Sequence, residues 1–178
     1  MENSIIPECY NDTCLIESIT RPKRGYNHIK GTSSVTKRMK EKHADAFALG
    51  IIDNDKRPNE YLSEFIVLIS FSNSLILYKH KLETKHHYII HVSPEVEPFI
   101  LSSAQQVNIA FPSHLLVKEE LRRDSQKFAD RKNLHKQILN AGSKNYQILT
   151  FWVTYLRDNN YNADLDYLIQ QTNTIVNS

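Results

Sequence analysis

AFALGII, residues 46–52, runs without a charge into Asp53-Asn54-Asp55. A seven-residue apolar run closed by an acidic turn reads as a strand buried on both faces, the usual centre of an α/β sheet. Working outward, FIVLISF at 65–71 reads as another buried strand, residues 4–7 as a short first strand, and 24–29 as a candidate second strand marked only by Tyr26 and Ile29. Residues 75–78 and 88–92 are short enough for a hairpin or paired edge strands around the polar KHKLETKHH. Helical stretches fall between the strands. Leu15, Ile16 and Ile19 recur at helical spacing after Asp12, which is placed to cap them. Thr32 to Ser34 offer caps for a charged helix reaching His43, Pro58 sits in the first turn of a short helix over 58–64, and Pro94 opens one over 94–101.

Beyond residue 104 the pattern is helical, with helices predicted over 113–123, 126–139, 146–156 and 163–175. Phe151, Trp152, Tyr155 and Leu156 share one helical face and read as core or interface. Strands alternating with helices predict an α/β fold with a mainly parallel sheet flanked by helices. We expect this domain over residues 1–103, with 104–178 as a helical extension packed on it.

With 178 residues, 40% of them hydrophobic and 24% charged, the composition is that of a globular chain able to fold without disulfides or a structural metal. A net charge of +2, from 22 basic and 20 acidic residues, excludes a protein held on nucleic acid by charge alone. It leaves open an enzyme that meets phosphate through a metal. Cys9 and Cys14 lack a second pair to complete a zinc site, and the eight histidines show no metal-ligand spacing, which predicts structural or surface roles for them. No apolar run nears the roughly 20 residues that span a bilayer, and no signal-like segment opens the sequence; no membrane role and a cytoplasmic location are expected. Arg21, Lys23, Arg24, Lys30, Lys37, Arg38, Lys40 and Lys42 make the first third locally basic, and the interleaved Tyr26 and His28 offer rings for stacking on nucleic-acid bases.

The chemistry is expected at two acidic groups. Glu8 follows the first strand, with Asp12 four residues later, and Asp53 and Asp55 follow the central strand. Ligands of open α/β sheets bind beyond the carboxyl ends of the strands, so these acids converge if their strands are neighbours. Asp53 and Asp55, at i and i+2 on extended backbone, face one side. Carboxylates gathered in a dry site repel one another, and a hard divalent cation relieves that repulsion.

PECYNDTCLI and LGIIDNDKR resemble the two acidic motifs of the Toprim family: a strand ending in Glu with an Asp four residues on, and an apolar strand ending in Asp-x-Asp. KGTSSVT, between them, resembles the Gly-containing turn after the family's second strand. The resemblance covers residues 3 to 72, and Cys9 stands where the family usually has Gly. It implies a Toprim-like Rossmannoid fold, Glu8 as the acid/base or metal-associated glutamate, Asp53 and Asp55 as Mg²⁺ (or Mn²⁺) ligands, and Asp12 as an additional acid. Glu97 or Glu95, after YIIHV, matches a later acidic position facing a second metal. Lys56 and Arg57 are placed to contact the scissile phosphate.

Small stand-alone Toprim nucleases and the Toprim portions of OLD-type nucleases are the nearest comparison. The implied activity is metal-dependent cleavage or other handling of phosphodiester bonds in DNA or RNA, with a protein partner such as an ATPase as a further expectation. Two alternatives remain: a non-catalytic Toprim-like module binding nucleic acid or protein, and a haloacid-dehalogenase-like phosphatase. The latter class also places Asp-x-Asp after a strand, but continues to a Thr that is missing here.

Overall fold

The structure, a computed structural model, describes residues 3–53 and 59–178. The expected roles of Asp55, Lys56 and Arg57, and that of Pro58 as a helix opener, lie outside the described residues. In chain order the elements are β1 (Ile5–Pro7), α1 (Tyr10–Thr20), α2 (Thr32–Lys42), β2 (Ala48–Asp53), a 3-10 turn at Glu60–Glu64, β3 (Phe65–Phe71), β4 (Leu75–His80), β5 (His87–Val92) and α3 (Val96–Gln106). There follow α4 (Lys118–Leu121), α5 (Ser125–Asn140), α6 (Lys144–Asn159) and α7 (Leu165–Asn177).

The five strands form one sheet in the order β1-β2-β5-β4-β3. β1 pairs parallel to β2 and β2 parallel to β5, whereas β4 runs antiparallel to both β5 and β3. The sheet is mixed, where a mainly parallel one was expected. The reason is chain length: a parallel crossover needs about a dozen residues. Only Ser72, Asn73 and Ser74 separate β3 from β4, and Ser72 and Asn73 take positive φ values of 49° and 56° to turn the chain straight back. FIVLISF, expected to be buried, is the sheet's edge, with Ile66 and Val67 more than half exposed.

Alternation along the central strands divides the core in two. Ile5, Leu49, Ile51 and Ile90 face a large cluster with Leu15, Ile16 and Ile19 of α1, Phe99 and Ile100 of α3, Ile138 of α5, and Tyr146, Trp152 and Leu156 of α6. Ile6, Ala48, Ile52 and Ile89 face a smaller one with Val35 and Met39 of α2 and with Tyr61 and Phe65. The helices beyond residue 104 therefore share the larger core. Gly50 lets α2 lie close on β2, because a Cβ there would come within 2.9 Å of Met39 Sδ and 3.1 Å of Val35 Cγ1.

Several local expectations are corrected. Residues 24–29 form an isolated bridge at Tyr26 rather than a strand. With only two apolar side chains the segment is held by side-chain bonds and one backbone bond instead. The Tyr26 amide donates to Glu17 Oε1 (3.0 Å), the Tyr26 and Thr20 hydroxyls lie 2.9 Å apart, and the Ile29 amide donates to the Pro7 carbonyl (3.0 Å). Tyr26 is buried and offers no face to a ligand. Asp12 does not cap α1; Cys9 holds that position and Asp12 lies inside the first turn. The helix expected over 113–123 is broken by the extended backbone of Val117 into a 3-10 turn at Ser113–Leu116 and the short α4. α3 starts at Val96, two residues after Pro94.

The histidines are largely structural. His87 Nε2 donates to the carbonyls of His43 (2.8 Å) and Ala46 (3.1 Å), which leaves Nδ1 to accept from the Tyr61 hydroxyl. Burial lowers the pKa of His80, His87 and His135, and takes His91 to about 4. A histidine held neutral in the fold but titrating near 6.5 when unfolded stabilises less as pH falls from about 6.5 through its folded value, because the unfolded chain then binds more protons. Thermal melts should therefore show stability declining from pH 7 towards pH 4, and His91→Phe should flatten that decline; an unchanged slope in the variant would contradict the assignment.

Candidate active site

The parallel pairing of β1 with β2, in the register Pro7 to Ile51, puts Glu8 beside the end of β2. The Glu8 amide donates to the Ile51 carbonyl (2.9 Å), and Glu8 Oε2 accepts from the Asp53 amide (3.1 Å) and from Thr32 Oγ1 (2.9 Å). Gly31, at φ 90°, makes the turn that brings Thr32 there. Asp53 ends β2, and its Oδ1 accepts from the Val96 amide at the start of α3 (2.9 Å). A carboxylate there meets both an unpaired amide and the positive end of the helix dipole.

Glu97, one residue further along α3, accepts from Asn11 Nδ2. The Asn11 amide also donates to the Leu116 carbonyl (3.1 Å), and its Oδ1 accepts from Arg131 Nη2 of α5 (2.5 Å). Arg131 is fully buried, and among the described residues its Nε and Nη1 have no hydrogen-bond partner. Burial lowers its pKa, while Cys14, Cys9 and Glu97 act in the opposite sense. An internal cation thus stands behind the acids.

Asp12 lies at the centre of the group. It is 0% exposed, and among the described residues neither of its oxygens accepts from an N–H or O–H donor. Its pKa is raised well above the ordinary carboxylate value, first by burial and then by the negative charge of Asp53; Glu8 and Glu97 add to the rise and the Cys9 thiol offsets part of it. Of the acids named from the sequence, Asp53, Glu8 and Glu97 therefore all act electrostatically on Asp12. Glu95 is exposed at the N-cap of α3 and has no such role.

Among the described residues, no three His, Cys, Asp or Glu side chains stand close enough together to hold a metal ion. Mg²⁺ does not require such a cage; it is commonly held through one or two carboxylates, with water and substrate oxygens completing its shell. The all-oxygen donor set and the lack of N–H or O–H donors to Asp12 suit a hard cation, and Asp12 and Asp53 are the residues that could hold it.

The sequence reading missed Asn11, Thr32 and Arg131. Asn11 and Thr32 fall inside the motif segments, where their polarity was the only available signal. Arg131 lies 120 positions from the side chain it bonds, and nothing local marks it. Comparison with protein-family models, with characterised proteins and with solved structures returns no match to this chain. The likeness to Toprim domains rests on the motif residues alone. Among the described residues no helix is long and apolar enough to cross a membrane.

A carboxyl whose pKa is raised by folding destabilises the fold as pH rises above its unfolded value near 3.9, because the folded state must then give up a proton it holds more tightly. Asp12→Asn should therefore raise the melting temperature by a few degrees at pH 7 without divalent ions, with the difference vanishing near pH 3. Mg²⁺ should raise the melting temperature of the natural chain and not that of the variant. Equal shifts in both proteins would remove Asp12 from any cation site.

Proposed function

We propose that this chain is a Mg²⁺- or Mn²⁺-dependent enzyme acting on phosphodiester bonds of nucleic acid, a nuclease or a related phosphotransfer enzyme of Toprim-like build. The observation that carries the reading is Asp12, an acid buried with no N–H or O–H donor to either oxygen among the described residues and facing the charge of three others. A fold keeps such a group at a cost in stability, and a strongly perturbed carboxyl among other acids near the ends of α/β strands is a candidate site of chemistry. The order Glu8, Asp12, Asp53 along the chain supports the Toprim comparison.

Hydrolysis of a phosphodiester needs an activated water and relief of the charge that builds on the phosphate oxygens, and a divalent cation supplies both when bound. The side chains divide the remaining work. Glu8 is fixed through Oε2 by the Asp53 amide and Thr32, which assigns Oε1 to take the proton from the attacking water. Asp53 is fixed through Oδ1 by the Val96 amide and, with Asp12, would hold the cation. The chain Glu97–Asn11–Arg131 ties the Glu97 carboxylate to the buried cation of α5.

Supercoiled plasmid, single-stranded DNA and RNA, each incubated with Mg²⁺ or Mn²⁺, test this directly. Cleavage of at least one is expected, with Asp53→Asn and Glu8→Gln lowering the rate by about 10²-fold or more while circular dichroism shows both still folded. Binding without turnover in every case would assign the chain to a non-catalytic module instead.

A further inference from the structure

On the solvent side of Glu8 the surface opens into a cleft of about 370 Å³ whose walls include Tyr10, His28, Lys30 and Arg122. The cleft joins the acidic cluster through Glu8, which both lines it and accepts from the Asp53 amide. Three planar groups meet there. The rings of Tyr10 and His28 have centroids 3.7 Å apart with their planes at 46°, and the Arg122 guanidinium carbon lies 5.1 Å from the centre of the Tyr10 ring. Both rings are half-buried and so held in place, whereas Arg122 and Lys30 are exposed and able to swing. Burial and the neighbouring Arg122 lower the pKa of His28, which keeps its imidazole neutral at pH 7, an uncharged surface for stacking.

The charges say what kind of ligand belongs there. Lys30 and Arg122 are matched by Glu8 and Glu119 on the same walls, so the cleft has no net pull on a simple anion. It favours a molecule that offers a flat ring to the aromatic pair and a phosphate to the two cations. A pocket of this size lies at the small end of ligand sites, and its rings sit within the recess. A base stacked inside a duplex cannot present its face to such rings, whereas an unpaired base can.

We infer that this cleft receives one unpaired nucleotide of a single-stranded nucleic acid, its base stacked against Tyr10 and His28 and its phosphate held by Lys30 and Arg122. The inference rests on the reading of the adjacent acids as a phosphodiester site, since the strand leaving the cleft at Glu8 delivers its next linkage to them.

Fluorescence anisotropy in EDTA tests binding apart from catalysis, with a labelled oligothymidylate of about twelve nucleotides as probe and a blunt duplex of equal length as competitor. The single strand should bind at least about tenfold more tightly than the duplex. Tyr10→Leu and His28→Ala should each weaken it by roughly 5- to 100-fold, the range seen when a stacking ring is removed. Arg122→Gln, a change at an exposed position that leaves folding intact, should lower the salt slope by about one unit. Equal or tighter duplex binding, or unchanged affinity in His28→Ala and Arg122→Gln, would overturn the inference. The two readings fail separately: ring-dependent binding without cleavage removes the enzyme and keeps the cleft. Cleavage that needs Asp53 but is indifferent to Tyr10, His28 and Arg122 removes the cleft and keeps the enzyme.

Discussion

The parallel ladder between β1 and β2 is the constraint on which the rest of the structure depends. It is only three residues long, from Ile5 opposite Leu49 to Pro7 opposite Ile51, yet it brings Glu8 to the end of β2. A shift of one residue would turn Ile5 and Ile6 to the wrong faces, exchanging the large core for the small one, and would carry Glu8 away from the Asp53 amide. The apolar alternation that builds the two cores and the polar contacts that build the rim are thus one choice of register. α1 begins two residues after Glu8, so the same register fixes where Asp12 is buried.

Burying Asp12 beside Asp53, Glu8 and Glu97 works against folding, and the molecule answers with partial remedies. Asp53 and Glu97 are tied to the first turn of α3 and to Asn11, where amide groups stabilise negative charge. Arg131 brings a positive charge to the back of the cluster without forming a direct ion pair with Asp12. Had the fold needed only an inert interior here, an apolar side chain at position 12 would have served it better. These remedies leave Asp12 with its pKa still raised well above the ordinary carboxylate value.

The strongest pattern signals were legible. AFALGII became an interior strand with β1 and β5 on either side, and α5, α6 and α7 lie where helical spacing of apolar residues put them. Glu8 and Asp53 share a rim because residues that end neighbouring parallel strands must do so, and Asp12 and Glu97 lie in the first turns of the helices α1 and α3. Strand direction was less legible, since FIVLISF has the same composition in a central strand as at an edge. The three-residue gap before LILYKH was the signal that excluded a parallel crossover. Tyr26 and Ile29 were too sparse to define a strand, and Glu17 rather than a neighbouring strand satisfies the Tyr26 amide. The role of Arg131 was hidden for a different reason: a long-range contact leaves no trace in local periodicity.

The bond from Asn11 to Arg131 also has a consequence in time. The chain leaves the ribosome from its N-terminus at roughly 5–20 residues per second, so β1 and α1 emerge many seconds before α5 exists to receive them. Until then the apolar face of α1 has no α5 or α6 to cover it, and Asn11 lacks its buried cation. Assembly of the acidic rim is therefore a late event of synthesis, governed by closure of one of the longest loops in the chain.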